Sequence, residues 1–289
     1  MDHELLTMNL TKTEFNTNSK VTPSKWFATD HERILCRIKQ LEPWRMNVQI
    51  TDSISSGDHL PRGVGSENAS RRSGSDARKQ FRRLMATLYP NGMKDKRLLD
   101  CGCGAGGYCF WAGELKAELA YGFDVREHWI KQARFLRYNR KISNIGINKR
   151  LKFNTLNLYD LPTENNFPFD IVLFKNLFFH LEDPVGGLRI AADLSRDVLV
   201  FSSAVIWGQP DGSLRMAKCD EPKLHGGVSN LNWYPTGPGV CAEIIRNLGF
   251  EELVLTKCRQ VAARPDYGRI EIIASRRKNR LGNLRGEIL

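Results

Sequence analysis

Arg97-Leu-Leu-Asp-Cys-Gly-Cys-Gly-Ala-Gly-Gly-Tyr108 sets one carboxylate, Asp100, just ahead of a turn holding Gly102, Gly104, Gly106 and Gly107. The apolar pair Leu98 and Leu99 predicts a short buried strand, and Tyr108 opens a helix, so the acid stands at the strand's carboxyl end. Glycine has no Cβ, so the backbone can turn sharply here and a ligand can lie against it. The first N–H groups of the helix have no partners within the helix and face whatever binds. Open α/β sheets take their ligands at this place, outside the carboxyl ends of the strands. The chemistry predicted is cofactor binding, and charge separates the candidates.

Gly102-x-Gly104-x-x-Gly107 satisfies the dinucleotide fingerprint, and Asp124 lies at a suitable spacing for a ribose hydroxyl. Asp100 argues the other way, because it would repel a pyrophosphate laid over the turn. S-adenosyl-L-methionine has no phosphate and carries an ammonium and a sulfonium, which a carboxylate holds through charge and hydrogen bonds. Asp-x-Gly-x-Gly-x-Gly resembles motif I of the class I methyltransferases. A purely structural glycine turn is disfavoured by the ordered acids that follow.

The elements needed to position these groups are readable. Leu119–Asp124 is a second apolar strand ending in an acid, with Val125 just beyond it. A helical stretch follows, with Trp129, Ala133 and Leu136 on one face. Residues 151–158 alternate like a third strand. The resemblance implies that its end meets adenine, with Asn157 accepting from the exocyclic amine, Leu158 packing on the ring and Tyr159 adjoining. Residues 169–176 form an almost wholly apolar fourth strand, as expected for burial on both faces, and residues 197–201 a fifth. The fold expected is α/β, a doubly wound, seven-stranded and mostly parallel Rossmann-like sheet with an N-terminal cap. Its last strand, about 268–275, should run antiparallel. The cofactor contacts expected are Asp100, Gly102, Cys103, Gly104, Gly106, Asp124, Val125, Asn157, Leu158, Tyr159 and Lys175.

Further segments narrow the resemblance. Trp44 with Ile50-Thr-Asp-Ser-Ile-Ser-Ser-Gly57, Asn176-Leu-Phe-Phe-His-Leu-Glu-Asp-Pro184, Asn232-Trp-Tyr-Pro-Thr236 with Leu248-Gly-Phe250, and Gly268-Arg-Ile-Glu-Ile-Ile-Ala274 are similar to stretches of one methyltransferase family. That family contains the tRNA wobble-uridine enzymes that build 5-carboxymethoxyuridine and 5-methoxyuridine. Its best-known members use carboxy-S-adenosylmethionine and grip the extra carboxylate with basic and tyrosine side chains. Here Phe179 stands where the tyrosine hydroxyl would be, while Arg269 keeps the family's arginine and is a candidate for substrate binding. The resemblance thus implies ordinary S-adenosyl-L-methionine and transfer of a plain methyl group.

Methyl transfer from a sulfonium is an in-line displacement, in which the protein positions a lone pair and excludes water. A hydroxyl acceptor benefits from a base. His180, just past the fourth strand, is the candidate, though a histidine there can also simply shape the pocket. Trp233 and Tyr234 would wall a flat acceptor, or pack in the core. The function expected is O-methylation of a small-molecule or sugar hydroxyl. The alternatives are a tRNA wobble-uridine modifying enzyme and, in a different class, a non-catalytic subunit that binds the cofactor.

The remaining sequence bounds this reading. The chain has 289 residues, enough for one large α/β core with appendages. No apolar run reaches membrane-spanning length and the start lacks a signal-peptide layout, so a cytoplasmic protein is expected. Seven cysteines without framework spacing suggest reduced thiols, and Cys101-x-Cys103 is too close-spaced for a zinc knuckle, so no metal site is read. The net charge of +11 is clustered. Arg71, Arg72, Arg78, Lys79, Arg82 and Arg83 precede the first strand and would suit RNA phosphates or an acidic sugar alike, the last four being the candidates for tRNA. Lys131, Arg134 and Arg137 continue with Arg140 and Lys141 along a helix, and Arg276, Arg277, Lys278, Arg280 and Arg285 end the chain. Self-association stays open. The organisation expected is a disordered tail over 1–29, a helix-and-strand cap over 30–93 with a flexible loop at 53–75, the cofactor domain over 94–276 with an insertion at about 205–236, and a basic tail over 277–289.

Overall fold

Apolar runs form the central strands of this protein, Arg97–Cys101, Leu119–Asp124 and Phe169–Lys175 among them, and the helix after the first is itself buried on most of its surface. The computed structural model describes residues 30–44, 50–51, 53–56, 69–139, 148–161, 168–218 and 230–289. The strands in chain order are β1 (Arg97–Cys101), β2 (Leu119–Asp124), β3 (Leu151–Thr155), β4 (Phe169–Lys175), β5 (Ser195–Ile206), β6 (Leu214–Lys218), β7 (Leu231–Pro235), β8 (Glu252–Val261), β9 (Arg264–Ser275) and β10 (Glu287–Ile288). The helices are α1 (Asp30–Gln40), α2 (Ala69–Leu88), α3 (Gly107–Glu114), α4 (Glu127–Asn139), α5 (Pro184–Asp193) and α6 (Pro238–Asn247).

The main sheet runs β10-β8-β9-β5-β4-β1-β2-β3. β1 to β5 are parallel, and β9 is antiparallel to both β5 and β8. Because β1 pairs with β2 on one side and β4 on the other, the strand order reverses there and opens the crevice where such sheets bind ligands. The expected doubly wound, mostly parallel sheet with an antiparallel late strand is present. β4 and the middle of β5 are buried on both faces, and Phe174, Phe178, Phe201 and Phe250 are among the largest fully buried side chains. β6 and β7 form a separate antiparallel hairpin, so the expected insertion is an ordered ribbon where it is described.

Three expectations need correction. The sheet has eight strands, because Glu287–Ile288 adds to the outer edge of β8. The basic tail is therefore part of the fold. Arg276 donates to the carbonyls of Ala192, Ser195 and Leu248 (2.7–3.1 Å), while Arg277 and Arg280 bind the buried Asp197 carboxylate. Spacing along the chain carried no sign of this, since the partners lie 80 and 83 residues away. Finally, α2 begins at Ala69, so the last part of the expected 53–75 loop is helix. The expected tail over 1–29 and, within the expected cap, residues 45–49, 52 and 57–68 lie outside the described residues.

The chain divides at Gln40 into two units. The first contains α1, with Asp30 and Glu32 in its first turn and Arg37 and Lys39 in its last, as a helix dipole favours. In the second, Trp44 is buried with its ring 6.2 Å from that of Phe135 on α4. Gln132 of α4, also buried, donates to the carbonyls of Leu41 and Pro43 (2.6 and 3.0 Å). Among the described residues, no helix is long and apolar enough to cross a membrane.

Burial opposes ionisation of Asp197, but the donors of Arg277 and Arg280 outweigh it and hold the carboxyl below its usual range. Its stabilising contribution is therefore complete above the ordinary carboxylate range and is lost as pH falls through the depressed value. Arg280→Ala, which leaves this buried charge under-compensated, is expected to cost about 3 kcal/mol in urea unfolding at pH 7. The deficit should shrink at acid pH to what the Arg280 bond to the Leu88 carbonyl contributes; a pH-independent deficit would count against the ion pair.

Candidate cofactor and acceptor site

The turn after β1 is built from three left-handed glycines: Gly102 (φ 70°), Gly104 (φ 54°) and Gly106 (φ 81°). Their surroundings differ. A Cβ on Gly106 would lie 2.5 Å from the Phe153 ring, so this glycine lets α3 close on β3. A Cβ on Gly102 would approach the Leu177 side chain at 3.3 Å. At Gly104 a Cβ would meet nothing within 4 Å, so the backbone here faces open space. Cys103 donates its N–H to the Phe123 carbonyl (2.8 Å), and its thiol packs where a side chain on Gly122 would be. Burial pushes the thiols of Cys101, Cys103 and Cys109 well up, so they are small packing groups beneath the turn.

Two carboxylates flank the turn. Asp124, at the end of β2, is buried and accepts from the N–H groups of Gly104 (3.1 Å) and Arg126 (2.9 Å). Asp100 is 3% exposed, and its Oδ2 has no hydrogen-bond partner among the described residues. Burial pushes its carboxyl up to about 8; the Lys175 charge pulls against this and Asp124 adds to it. An acceptor group without a partner, buried beside open space over a glycine turn, fits a ligand that brings a cation. Val125, next to Asp124, is exposed.

Beyond β3 the side chains are engaged elsewhere. Asn157 caps the following 3-10 turn by accepting from the Tyr159 N–H (3.3 Å). Leu158 is buried in the main core, and the Tyr159 hydroxyl donates to the Asp183 carbonyl at the start of α5 (2.7 Å). The Leu158 side chain also lies against α5, where a Cβ on Gly187 would approach it at 3.0 Å.

The end of β4 gathers most of the remaining candidates. Lys175 binds Glu271 of β9 and sits 5.3 Å from the Tyr108 ring. Asn176 adopts a left-handed backbone (φ 54°) and accepts from Arg269 (2.9 Å). His180 follows in a 3-10 turn, half-buried, with its ring 4.0 Å from that of Phe179. Phe179 stacks on Tyr234 of β7 (5.6 Å, 17°), and Tyr234 meets Tyr267 of β9 edge-on (5.3 Å). The Asn232 amide, turned so that its oxygen accepts from the Tyr234 hydroxyl (3.0 Å), donates to the Phe179 carbonyl (3.2 Å) and ties the hairpin to the histidine turn.

Trp233 and Tyr234 are successive on a strand and so point to opposite faces. The aromatic wall therefore comprises Phe179, Tyr234 and Tyr267, without Trp233. Tyr267 and Glu271 escaped the sequence reading; both share a face of β9 with Arg269 at a period of two, which was the available signal.

The basic cluster on α2 is partly committed. Arg78 and Arg82 pair with Glu114 of α3 (2.6 and 3.7 Å), leaving Lys79 and Arg83 exposed. On α4, Arg134 and Arg137 donate to carbonyls of β3 (3.0–3.1 Å) and hold helix to sheet.

A methyltransferase-domain family model matches residues 93–233. The chain is 32% identical over 133 residues to the tRNA U34 carboxymethyltransferase of Campylobacter fetus subsp. fetus, covering 46% of this chain and 44% of that protein. It is 26% identical over 114 residues to the ubiquinone biosynthesis O-methyltransferase of Neisseria meningitidis serogroup C, covering 39% of this chain and 45% of that protein. The chain thus spans about half the length of the curated relatives it matches. The N-terminal domain of EvdMO1, solved with SAH bound, shares the fold, with TM-score 0.68 and 20% identity over 86% of this chain and 98% of that one. The same domain in the presence of SAH and D-fucose gives a TM-score of 0.67.

The glycines separate fold from binding. Gly106→Ala should destabilise by about 3 kcal/mol, combining a left-handed backbone with a clash on Phe153. Gly104→Ala should cost only about 1 kcal/mol, yet weaken SAH binding at least about tenfold if a ligand lies against the turn. Urea unfolding and calorimetry read the two effects separately. SAH binding by Gly104→Ala with wild-type affinity would rule out that approach.

Proposed function

We propose that this chain, which carries a class I S-adenosylmethionine-dependent methyltransferase domain and is distantly homologous to the tRNA U34 carboxymethyltransferases, transfers a methyl group to a hydroxyl of a small molecule or sugar. The observation that carries the reading is Asp100, a buried carboxyl whose Oδ2 has no hydrogen-bond partner among the described residues, at the start of the turn in which a side chain on Gly104 would meet only open space. Asp100 would hold the ammonium of S-adenosyl-L-methionine, and Asp124 would accept from its ribose hydroxyls. The turn at Asn157–Tyr159 would meet the adenine, and Val125 would lie beside it. Bound there, the cofactor supplies a methyl carbon already activated by a sulfonium, so the protein's task is positioning and exclusion of water.

The acceptor side is supported by the residues grouped beyond β4. Phe179, Tyr234 and Tyr267 offer an aromatic wall to the face of a compact ring. Arg269, oriented by Asn176, offers donors to its polar substituents. His180 adjoins that wall and takes the proton from the attacking hydroxyl. A neighbour of the same fold was crystallised in the presence of D-fucose, which agrees with a sugar-sized acceptor.

A tRNA acceptor is the second reading, and identity to the tRNA U34 carboxymethyltransferases favours it. It requires the exposed Lys79 and Arg83, since Arg78 and Arg82 already serve Glu114. Salt-sensitive tRNA binding that disappears in Lys79→Ala/Arg83→Ala would move the acceptor to RNA.

Two outcomes are expected. With its carboxyl pushed up to about 8, Asp100 is mostly protonated at pH 7, so binding a cation should release about one proton and tighten between pH 6 and 8. Calorimetry with SAH in buffers of differing ionisation enthalpy measures this; Asp100→Asn should bind at least about a hundredfold more weakly and release none. If the wild-type protein binds neither SAH nor S-adenosyl-L-methionine, the methyltransferase reading fails. His180→Gln should lower kcat at least about a hundredfold with a hydroxyl acceptor while SAH affinity holds. Unchanged kcat would reduce His180 to a shaping role.

A further inference from the structure

Asp100 and Lys175 stand near the carboxyl ends of neighbouring strands, β1 and β4. The lysine's charge is the principal one acting in favour of the Asp100 carboxylate. Attraction between an ammonium and a carboxylate grows as water is excluded, so such a pair tends to close on itself. It has not closed here. Lys175 Nζ binds Glu271 Oε2 across β5, on β9, and lies near the face of Tyr108, while Asp100 Oδ2 has no hydrogen-bond partner among the described residues.

We propose that Glu271 is a positioning residue: by holding the Lys175 ammonium, it keeps the Asp100 carboxylate open to the cationic end of the cofactor. The role rests on the glycine turn being the cofactor site. Lys175 is the intramolecular competitor of the ligand's ammonium, and Glu271 removes that competitor. Glu271 is itself fixed, since the Thr256 hydroxyl donates to its Oε1 (3.1 Å) and Lys257 Nζ lies 4.0 Å from its Oε2. Burial opposes its ionisation, but Lys175 outweighs this and holds the carboxyl below its usual range, so the clamp stays charged. Lys175 is thus held on Glu271 and off Asp100. This reassigns Lys175, which sequence position alone would place in direct contact with cofactor.

The test is calorimetric SAH binding to the wild-type protein, Glu271→Gln and Glu271→Gln/Lys175→Met, with melting temperatures on the same samples. Released from its clamp, Lys175 should turn to Asp100, and Glu271→Gln should bind SAH at least about tenfold more weakly. Removing the competitor as well should bring the double variant back to within about threefold of wild type, a rescue that a merely structural role would not give. Glu271→Gln with wild-type affinity overturns the proposal. So does a double variant as weak as the single, which would mean that Lys175 or Glu271 touches the cofactor directly. Should the single variant fail to fold, the double variant decides by the same threefold criterion. Failure of the wild-type protein to bind SAH overturns the cofactor reading itself.

Discussion

Keeping a carboxylate out of water without pairing it is the constraint around which the carboxyl end of this sheet is arranged. Burial of a lone charge is expensive, and a protein relieves it by protonation, by a partner or by a ligand. At Asp100 the described residues supply no hydrogen-bond partner to Oδ2. Glu271 takes the nearby lysine, the glycine turn presents bare backbone, and the reversal of strand order between β2 and β4 leaves room above. Asp124 is the contrast: two backbone N–H groups satisfy it, so it is set in place before anything binds.

β9 joins the two halves of the site. Antiparallel to β5, it brings alternate residues to the mouth of the sheet from the opposite chain direction. Tyr267 contributes an aromatic face, Arg269 reaches Asn176, and Glu271 reaches Lys175. One strand thus meets the proposed acceptor side through its first residues and the proposed donor side through its middle. The left-handed Asn176 makes this meeting possible, because its backbone leaves β4 at the angle that brings its amide to Arg269.

The parts legible in the sequence were those governed by local rules. Glycine spacing, an acid at a strand end and runs of buried residues identified β1 to β5 and the turn, because conformation there depends on neighbours a few residues away. Long-range pairing was not legible. Nothing local tells Arg277 and Arg280 that Asp197 is waiting, or tells Glu271 that Lys175 lies across another strand. No strand was read over β7, so Trp233 was grouped with Tyr234 although the strand separates them. Charge was the least reliable guide. Of the clustered arginines, Arg78, Arg134, Arg137, Arg276 and Arg280 all serve carbonyls or carboxylates of the fold itself.

The anchoring of Asp197 also bears on how the chain is made. β5 leaves the ribosome well before the guanidinium groups that neutralise its buried acid, which follow 80 and 83 residues later. Until they arrive, the parallel half of the sheet can collapse around β4 but cannot settle the start of β5, where Tyr89 and Asp197 meet. The late strands then bring in the missing cations, and Arg280 reaches back to the Leu88 carbonyl at the end of α2. Nascent chains stalled before this point should therefore remain substrates for chaperones, while a few further residues commit the whole sheet at once.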